Sequence, residues 1–113
     1  MIDAEKLDKT ILAQIRRANG AQDWNIGSWQ VHLQTELGQL PDQSEVRSAM
    51  KRLYADGLIR LKKYSKEYGG EYTGKEEDDW WFFGYYTFQA SITDQGRRYW
   101  NVATEPIGFQ RPT

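Results

Sequence analysis

The sequence contains no cysteine, and that absence removes several kinds of chemistry at once. Disulfide staples, thiolate metal sites and thiol nucleophiles are excluded, and a reducing cytoplasm is the expected compartment. Histidine occurs once, as His32. A lone histidine in a helical stretch supplies neither an acid–base pair nor a set of metal ligands, so neither a metal nor a cofactor is expected. Apolar runs are short. None approaches the roughly 20 residues that a membrane-spanning helix needs, and no membrane partner is expected. The opening residues, Met1-Ile2-Asp3-Ala4-Glu5-Lys6, carry acids and lack the apolar core of a secretory signal. Phosphate-cradling glycine loops are missing too, since Gly69-Gly70 and Gly74 lie among acids and suit a turn. Adjacent carboxylates such as Asp78 and Asp79 would face apart on a strand, and no nucleophile–base spacing stands out, so no catalytic residue is assigned and the chain is not expected to be an enzyme.

Excess charge is also scarce, with a net charge of −1. Nucleic-acid binding through the whole surface calls for a basic domain, so any such contact here must come from a local patch. What the chain does have is aromatic rings, 14% of 113 residues with five tryptophans among them. The length suits one domain with one core, expected over residues 1–103, followed by an irregular tail at 104–113 that holds Pro106, Gly108 and Pro112.

Hydrophobic spacing divides the chain into elements. Ala4, Leu7, Ile11, Leu12, Ile15 and Ala18 form one helical stripe, closed by Asn19-Gly20. Trp24-Asn25-Ile26 suits a short extended piece at a sheet edge. Ser28 is the expected cap of a second helix whose Trp29, Leu33 and Leu37 face the core, with Leu40 expected to plug the corner after it. Asp42-Gln43-Ser44-Glu45 has capping-box spacing and opens a third helix with Val46, Ala49, Met50 and Leu53 on one face. Asp56-Gly57 ends that helix. Leu58 to Tyr64 reads as a strand, Lys66 to Asp79 as a long turn, and Trp80 to Ile92 as a second, aromatic strand with Gly84 as a bulge or close-packing point. Thr93-Asp94 caps a last helix.

The order helix, short strand, helix, helix, strand, strand, helix predicts an α+β fold. Two stretches resemble the winged-helix transcription regulators, especially the PadR-like and MarR-like groups. One is Val46-Arg47-Ser48-Ala49-Met50-Lys51-Arg52-Leu53-Tyr54-Ala55-Asp56-Gly57-Leu58-Ile59, similar to a recognition helix and the turn into the wing. The other is Ile92-Thr93-Asp94-Gln95-Gly96-Arg97-Arg98-Tyr99, similar to the end of the wing and the helix after it. The likeness covers roughly residues 3 to 103. It implies a winged helix-turn-helix, with a three-helix core, a β-hairpin wing and a short C-terminal helix, and it implies that the third helix enters the DNA major groove. Unlike many such regulators, this chain has a long acidic wing and no extended dimerisation helix after residue 103.

Under that resemblance Gln43, Ser44, Arg47, Ser48 and Lys51 are the candidate base readers, because arginine grips guanine through paired hydrogen bonds and short polar residues reach base edges. Arg52, Arg60, Lys62 and Lys63 are the candidate phosphate contacts. Gln43 to Lys66 holds seven bases and two acids, a local charge of +5. The plain alternative is that an amphipathic helix always has a polar outer face. Glu67 to Asp79 holds six acids and one base, a local charge of −5, and a tip of that sign is repelled by phosphates within a Debye length of roughly 8–10 Å. The acidic run reads as a solvated loop, as a docking site for a basic partner or, least well supported, as a cation site of Glu76, Glu77, Asp78 and Asp79, whose spacing is not that of an EF-hand loop.

The stretch Trp80-Trp81-Phe82-Phe83-Gly84-Tyr85-Tyr86-Thr87-Phe88 would alternate across a strand, one set covering the core and the other leaving an apolar surface. Trp80, Trp81, Phe82, Phe83, Tyr85 and Tyr86 are therefore candidate interface residues, for a homodimer or another protein, unless Pro106, Ile107 and Phe109 fold back over them. Two functions follow. The first is a homodimeric DNA-binding transcription regulator acting on double-stranded DNA. The second is a winged-helix protein-interaction module that does not bind DNA. A contact from Arg47 or Lys51 to Glu76 or Asp79 would favour the second, because the basic face would be covered from within.

Overall fold

A computed structural model describes residues 2–63, 70–79, 83–84 and 86–103, with the backbone alone for 78 and 100–103. The expected tail at 104–113 lies outside the described residues. The fold is α+β. Among the described residues it has four α-helices, α1 (Ala4–Arg17), α2 (Ile26–Leu37), α3 (Gln43–Ala55) and α4 (Asp94–Ala103), and four strands, β1 (Ala21–Trp24), β2 (Ile59–Lys63), β3 (Gly70–Glu71) and β4 (Phe88–Ile92). The strands form one antiparallel sheet in the order β1-β4-β2-β3. No described helix is long and apolar enough to cross a membrane.

Each helix buries the stripe its spacing requires. Leu7, Ile11, Leu12 and Ile15 of α1, Trp29, Leu33 and Leu37 of α2, and Val46, Ala49, Met50 and Leu53 of α3 meet in one core. The sheet covers that core with alternate residues, Ile59 and Leu61 from β2 and Phe88, Ala90 and Ile92 from β4. Arg60 and Lys62 point to the opposite face because side chains alternate along a strand. Asn19 (φ 61°) and Gly20 (φ 93°) turn the end of α1 directly into β1.

Two local expectations change. Asn25, rather than Ser28, caps α2, its side chain accepting from Ser28 N at 2.8 Å. Asparagine caps as well as serine, so the helix starts earlier and takes Ser28 into its first turn. The α2–α3 corner is filled by Pro41, which is buried and whose carbonyl accepts from Gln30 Nε2 at 3.0 Å, whereas Leu40 is 53% exposed.

The larger change lies between β2 and β4. The supposed long turn contains β3, paired through Lys62 with Glu71 and Lys63 with Gly70, and a 3-10 turn at Glu76–Asp78. The supposed strand from Trp80 is not continuous. Phe83 and Gly84 lie in a turn or bend, and the strand begins only at Phe88. Phe83 and Phe88 would face opposite ways on one unbroken strand, yet both are buried with their rings in edge contact at 5.8 Å. Burying both rings requires the chain to bend between them.

The last helix is tied to the α3–β2 turn. Thr93 Oγ1 accepts from Gly96 N at 2.9 Å, as a helix cap does, and donates to Gly57 O at 2.7 Å. A Cβ on Gly96 would lie 2.1 Å from the Leu58 carbonyl oxygen and 2.8 Å from Ile92 Cγ1. Gly96→Ala should therefore force α4 away from the sheet and destabilise the domain by about 1–3 kcal/mol, as overpacking does. Urea unfolding would measure the loss, and a change within error would contradict this close approach.

Candidate binding face on helix α3

Helix α3 is started by a complete capping box. Asp42 Oδ1 accepts from Glu45 N at 2.7 Å, and Asp42 N donates to Glu45 Oε1 at 3.2 Å. The backbone N–H of Glu45 and the Ser44 hydroxyl, both donating to its carboxylate, hold Asp42 below the usual carboxyl range. This box fixes the phase of the helix, and the phase decides where each polar residue of α3 looks.

Gln43, Ser44 and Ser48 are exposed. Ser44 and Ser48 share a groove of about 530 Å³ with Ile2, Ala4, Leu7, Asp42, Glu45 and Arg52, open between α3 and the start of α1. Arg52 is not presented outward as a single free cation. Its Nη2 and Nε donate to the two carboxylate oxygens of Asp8 at 2.8 and 3.1 Å, a bidentate tie between α3 and α1. The hydrogen bond to Asp8 pushes the Arg52 guanidinium further up from an already high value, so it stays charged.

The next cation along is engaged from the other side. Lys51 Nζ donates to Asp79 Oδ2 at 2.6 Å, and Tyr72 Oη donates to Asp79 Oδ1 at 2.7 Å. Burial pushes the Asp79 carboxyl up, but the hydrogen bonds from Lys51 and Tyr72 and the charges of Lys51 and Arg47 outweigh it. The net shift is downward. Arg47 is half-buried, and its Nε is enclosed with no hydrogen-bond partner among the described residues.

Tyr72 brings the acidic segment to this position. It is 2% exposed, its N–H donates to Leu61 O at 2.8 Å, and its carbonyl accepts from Tyr54 Oη at 2.9 Å. Its ring meets those of Tyr54 and Phe83 edge-on at 5.0 and 5.8 Å. Gly74, at φ +81°, allows the turn back toward α3, with Tyr54 Cε1 only 3.2 Å from where a Cβ would stand.

The nine candidate DNA contacts are thus divided. Ser44, Ser48 and Arg52 line one groove, and Ser48, Lys51 and Arg52 line a second, of about 450 Å³, with Tyr54, Ala55, Tyr72 and Gly74. Arg60 and Lys62 belong to neither groove and are exposed on the outer face of the sheet, while Lys63 is half-buried at its end. Among the interface candidates, Phe83 is 2% exposed and belongs to the core, which removes it from a surface role, while Tyr86 is 49% exposed. Trp80, Trp81, Phe82 and Tyr85 lie outside the described residues. Glu76 and Glu77 are exposed, and no three His, Cys, Asp or Glu among the described residues converge as metal ligands.

No protein family, curated protein or solved structure matches the chain.

Sequence reasoning missed Tyr72 and Asp8. Asp8 had a readable signal, since a carboxylate bordering the apolar stripe of α1 is well placed to meet a cation on a neighbouring helix. Tyr72 had none, lying alone in a polar, glycine-rich stretch. His32 is exposed and stacks on Trp24 with ring centroids 3.9 Å apart.

The Asp79 geometry fixes a pH dependence. A carboxyl whose folded value is lowered contributes stability above its unfolded value and loses it as pH falls through the folded value. The Asp79 carboxyl should titrate below the ~3.9 of free aspartate in carbon-detected NMR, and Lys51→Met should raise the midpoint. A midpoint at or above the free value would mean that the Lys51–Asp79–Tyr72 contact does not hold in solution.

Proposed function

We propose that this chain is a winged helix-turn-helix domain that serves as a protein-interaction module, with the basic face of α3 covered by its own acidic segment. The observation that carries this reading is the bond from Lys51 Nζ to Asp79 Oδ2. A helix that reads an open major groove needs its cations available to bases and phosphates. Here Lys51 is held by Asp79, Arg52 is held by Asp8, and Arg47 is half-buried within reach of the Asp79 charge. The order of elements and the α2–α3 corner support the winged-helix assignment. Glu71 on β3 and Glu76 and Glu77 in the 3-10 turn before Asp79 are exposed and suit a basic protein surface.

A second reading, a DNA-binding regulator, is supported by the exposure of Gln43, Ser44 and Ser48 on α3 and of Arg60 and Lys62 on β2. Under it, Arg47→Ala costs about 1–3 kcal/mol of specific affinity if Arg47 reaches a base.

Fluorescence anisotropy with a random-sequence duplex, run across a salt series, tests the first reading against a reader whose α3 is open. The interaction-module reading expects no saturable binding near 0.15 M salt. Binding that is present there, weakens steeply with salt and is lost on combining Arg47→Ala with Lys51→Ala would overturn it in favour of the DNA reader.

A further inference from the structure

The carboxylate of Asp79 sits where an external anion would sit. It accepts from a lysine of α3 and from the Tyr72 phenol, it lies in the field of Arg47, and its side chain is only 18% exposed. An anion held by two donors on a cationic helix face has the same requirements as a backbone phosphate of DNA, which also takes hydrogen bonds from lysine and tyrosine. The segment that delivers Asp79 is short. It runs from β3 through Gly74 and a single 3-10 turn, and its backbone is held at both ends, by buried Tyr72 and by buried Phe83, whose N–H donates to Asp79 O at 3.0 Å. With the backbone held, the Asp79 carboxylate leaves Lys51 by a change of side-chain rotamer, which breaks only the contacts to Lys51 and Tyr72 and leaves the sheet intact.

We infer that Asp79 is an autoinhibitory latch, occupying on α3 the place of a DNA phosphate and withholding Arg47 and Lys51 from duplex DNA until it is displaced. The inference rests on the second reading above, that α3 can meet DNA, and replaces the first if it holds, since the Lys51–Asp79 contact then marks a closed state of a DNA reader. It adds that the closed form described here is the inactive state of that reader. The Arg52–Asp8 tie is not part of the latch, because it joins two core helices and remains in either state.

The test compares wild type, Asp79→Asn, Tyr72→Phe and Glu77→Gln in binding a fluorescein-labelled random-sequence duplex from low to physiological salt. Circular dichroism melts confirm that each variant folds. Glu77→Gln removes the same charge from an exposed side chain in the 3-10 turn beside Asp79. The latch requires Asp79→Asn to bind about three- to tenfold tighter than wild type, on the order of what an ion pair of this exposure withholds. Its log–log salt slope should steepen by about 0.9, the equivalent of one further neutralised phosphate. Tyr72→Phe should show a smaller gain, and adding Lys51→Ala to Asp79→Asn should abolish it.

Equal gains from Asp79→Asn and Glu77→Gln would overturn the latch, because net charge alone would then account for them. Salt-sensitive binding by wild type that neither Asp79→Asn nor Tyr72→Phe changes would also overturn it, leaving the DNA reading in place. Absence of binding by every folded variant at low salt would overturn the DNA reading, and the latch with it. If Asp79→Asn does not fold, Tyr72→Phe decides alone, since it deletes one donor to Asp79 and keeps the ring packed.

Discussion

Tyr72 spans two environments, and the surface of α3 depends on it. Its ring is packed between Tyr54 and Phe83, and its backbone joins Leu61 and Tyr54 through both polar groups. A buried tyrosine must still satisfy its hydroxyl, and this one does so outward, on Asp79. Burial of one ring therefore places a carboxylate seven residues later against a helix that the sequence shows only as polar and basic. The aromatic chain Tyr54–Tyr72–Phe83–Phe88 then continues through the bend that separates Phe83 from β4.

Two carboxylates pair with cations of α3, and their physical roles differ. Asp8 meets Arg52 in a paired, planar geometry between two helices that share a core, so the contact reinforces packing already present. Asp79 meets Lys51 from a connecting segment. Lys51 is 40% exposed at its side chain, so water and salt reach the pair. Ion pairs of that exposure contribute about 0–1 kcal/mol, well below the total stability of a domain. Such a contact holds one arrangement in preference to another without being needed for the fold, as a contact between alternative states must be.

Much of the fold was readable because short-range rules agreed with long-range packing. The stripe Leu7, Ile11, Leu12, Ile15 has one possible helical face, and Asp42 with Glu45 allows one start for α3. Asn19-Gly20, Gly38 and Gly57 mark helix ends because the chain takes left-handed angles there. An edge strand was readable near Trp24, but it is Ala21–Trp24, and Asn25 and Ile26, expected to extend it, instead cap and open α2. The errors came where two residues could do one job, Asn25 or Ser28 as a cap and Pro41 or Leu40 at a corner. Alternation failed from Trp80 onward for a different reason. It assumes an unbroken strand, and a run of aromatic residues gives no sign of a bend when every position is large and apolar.

The site was readable in its residue types but not in its state. Gln43, Ser44, Arg47, Ser48 and Lys51 identify a polar, cationic helix face from spacing alone. Whether such a face is open depends on a carboxylate 28 residues away in sequence, delivered by a tyrosine whose burial no periodicity announces. Local charge, +5 beside −5, already implied attraction between the two stretches. Attraction alone fixes neither distance nor partner, because screened charges at a surface find many equivalent arrangements. The ring of Tyr72 removes that degeneracy by anchoring the acidic segment in the core, and with the anchor in place the pairing of Asp79 with Lys51 is a matter of geometry rather than of net charge.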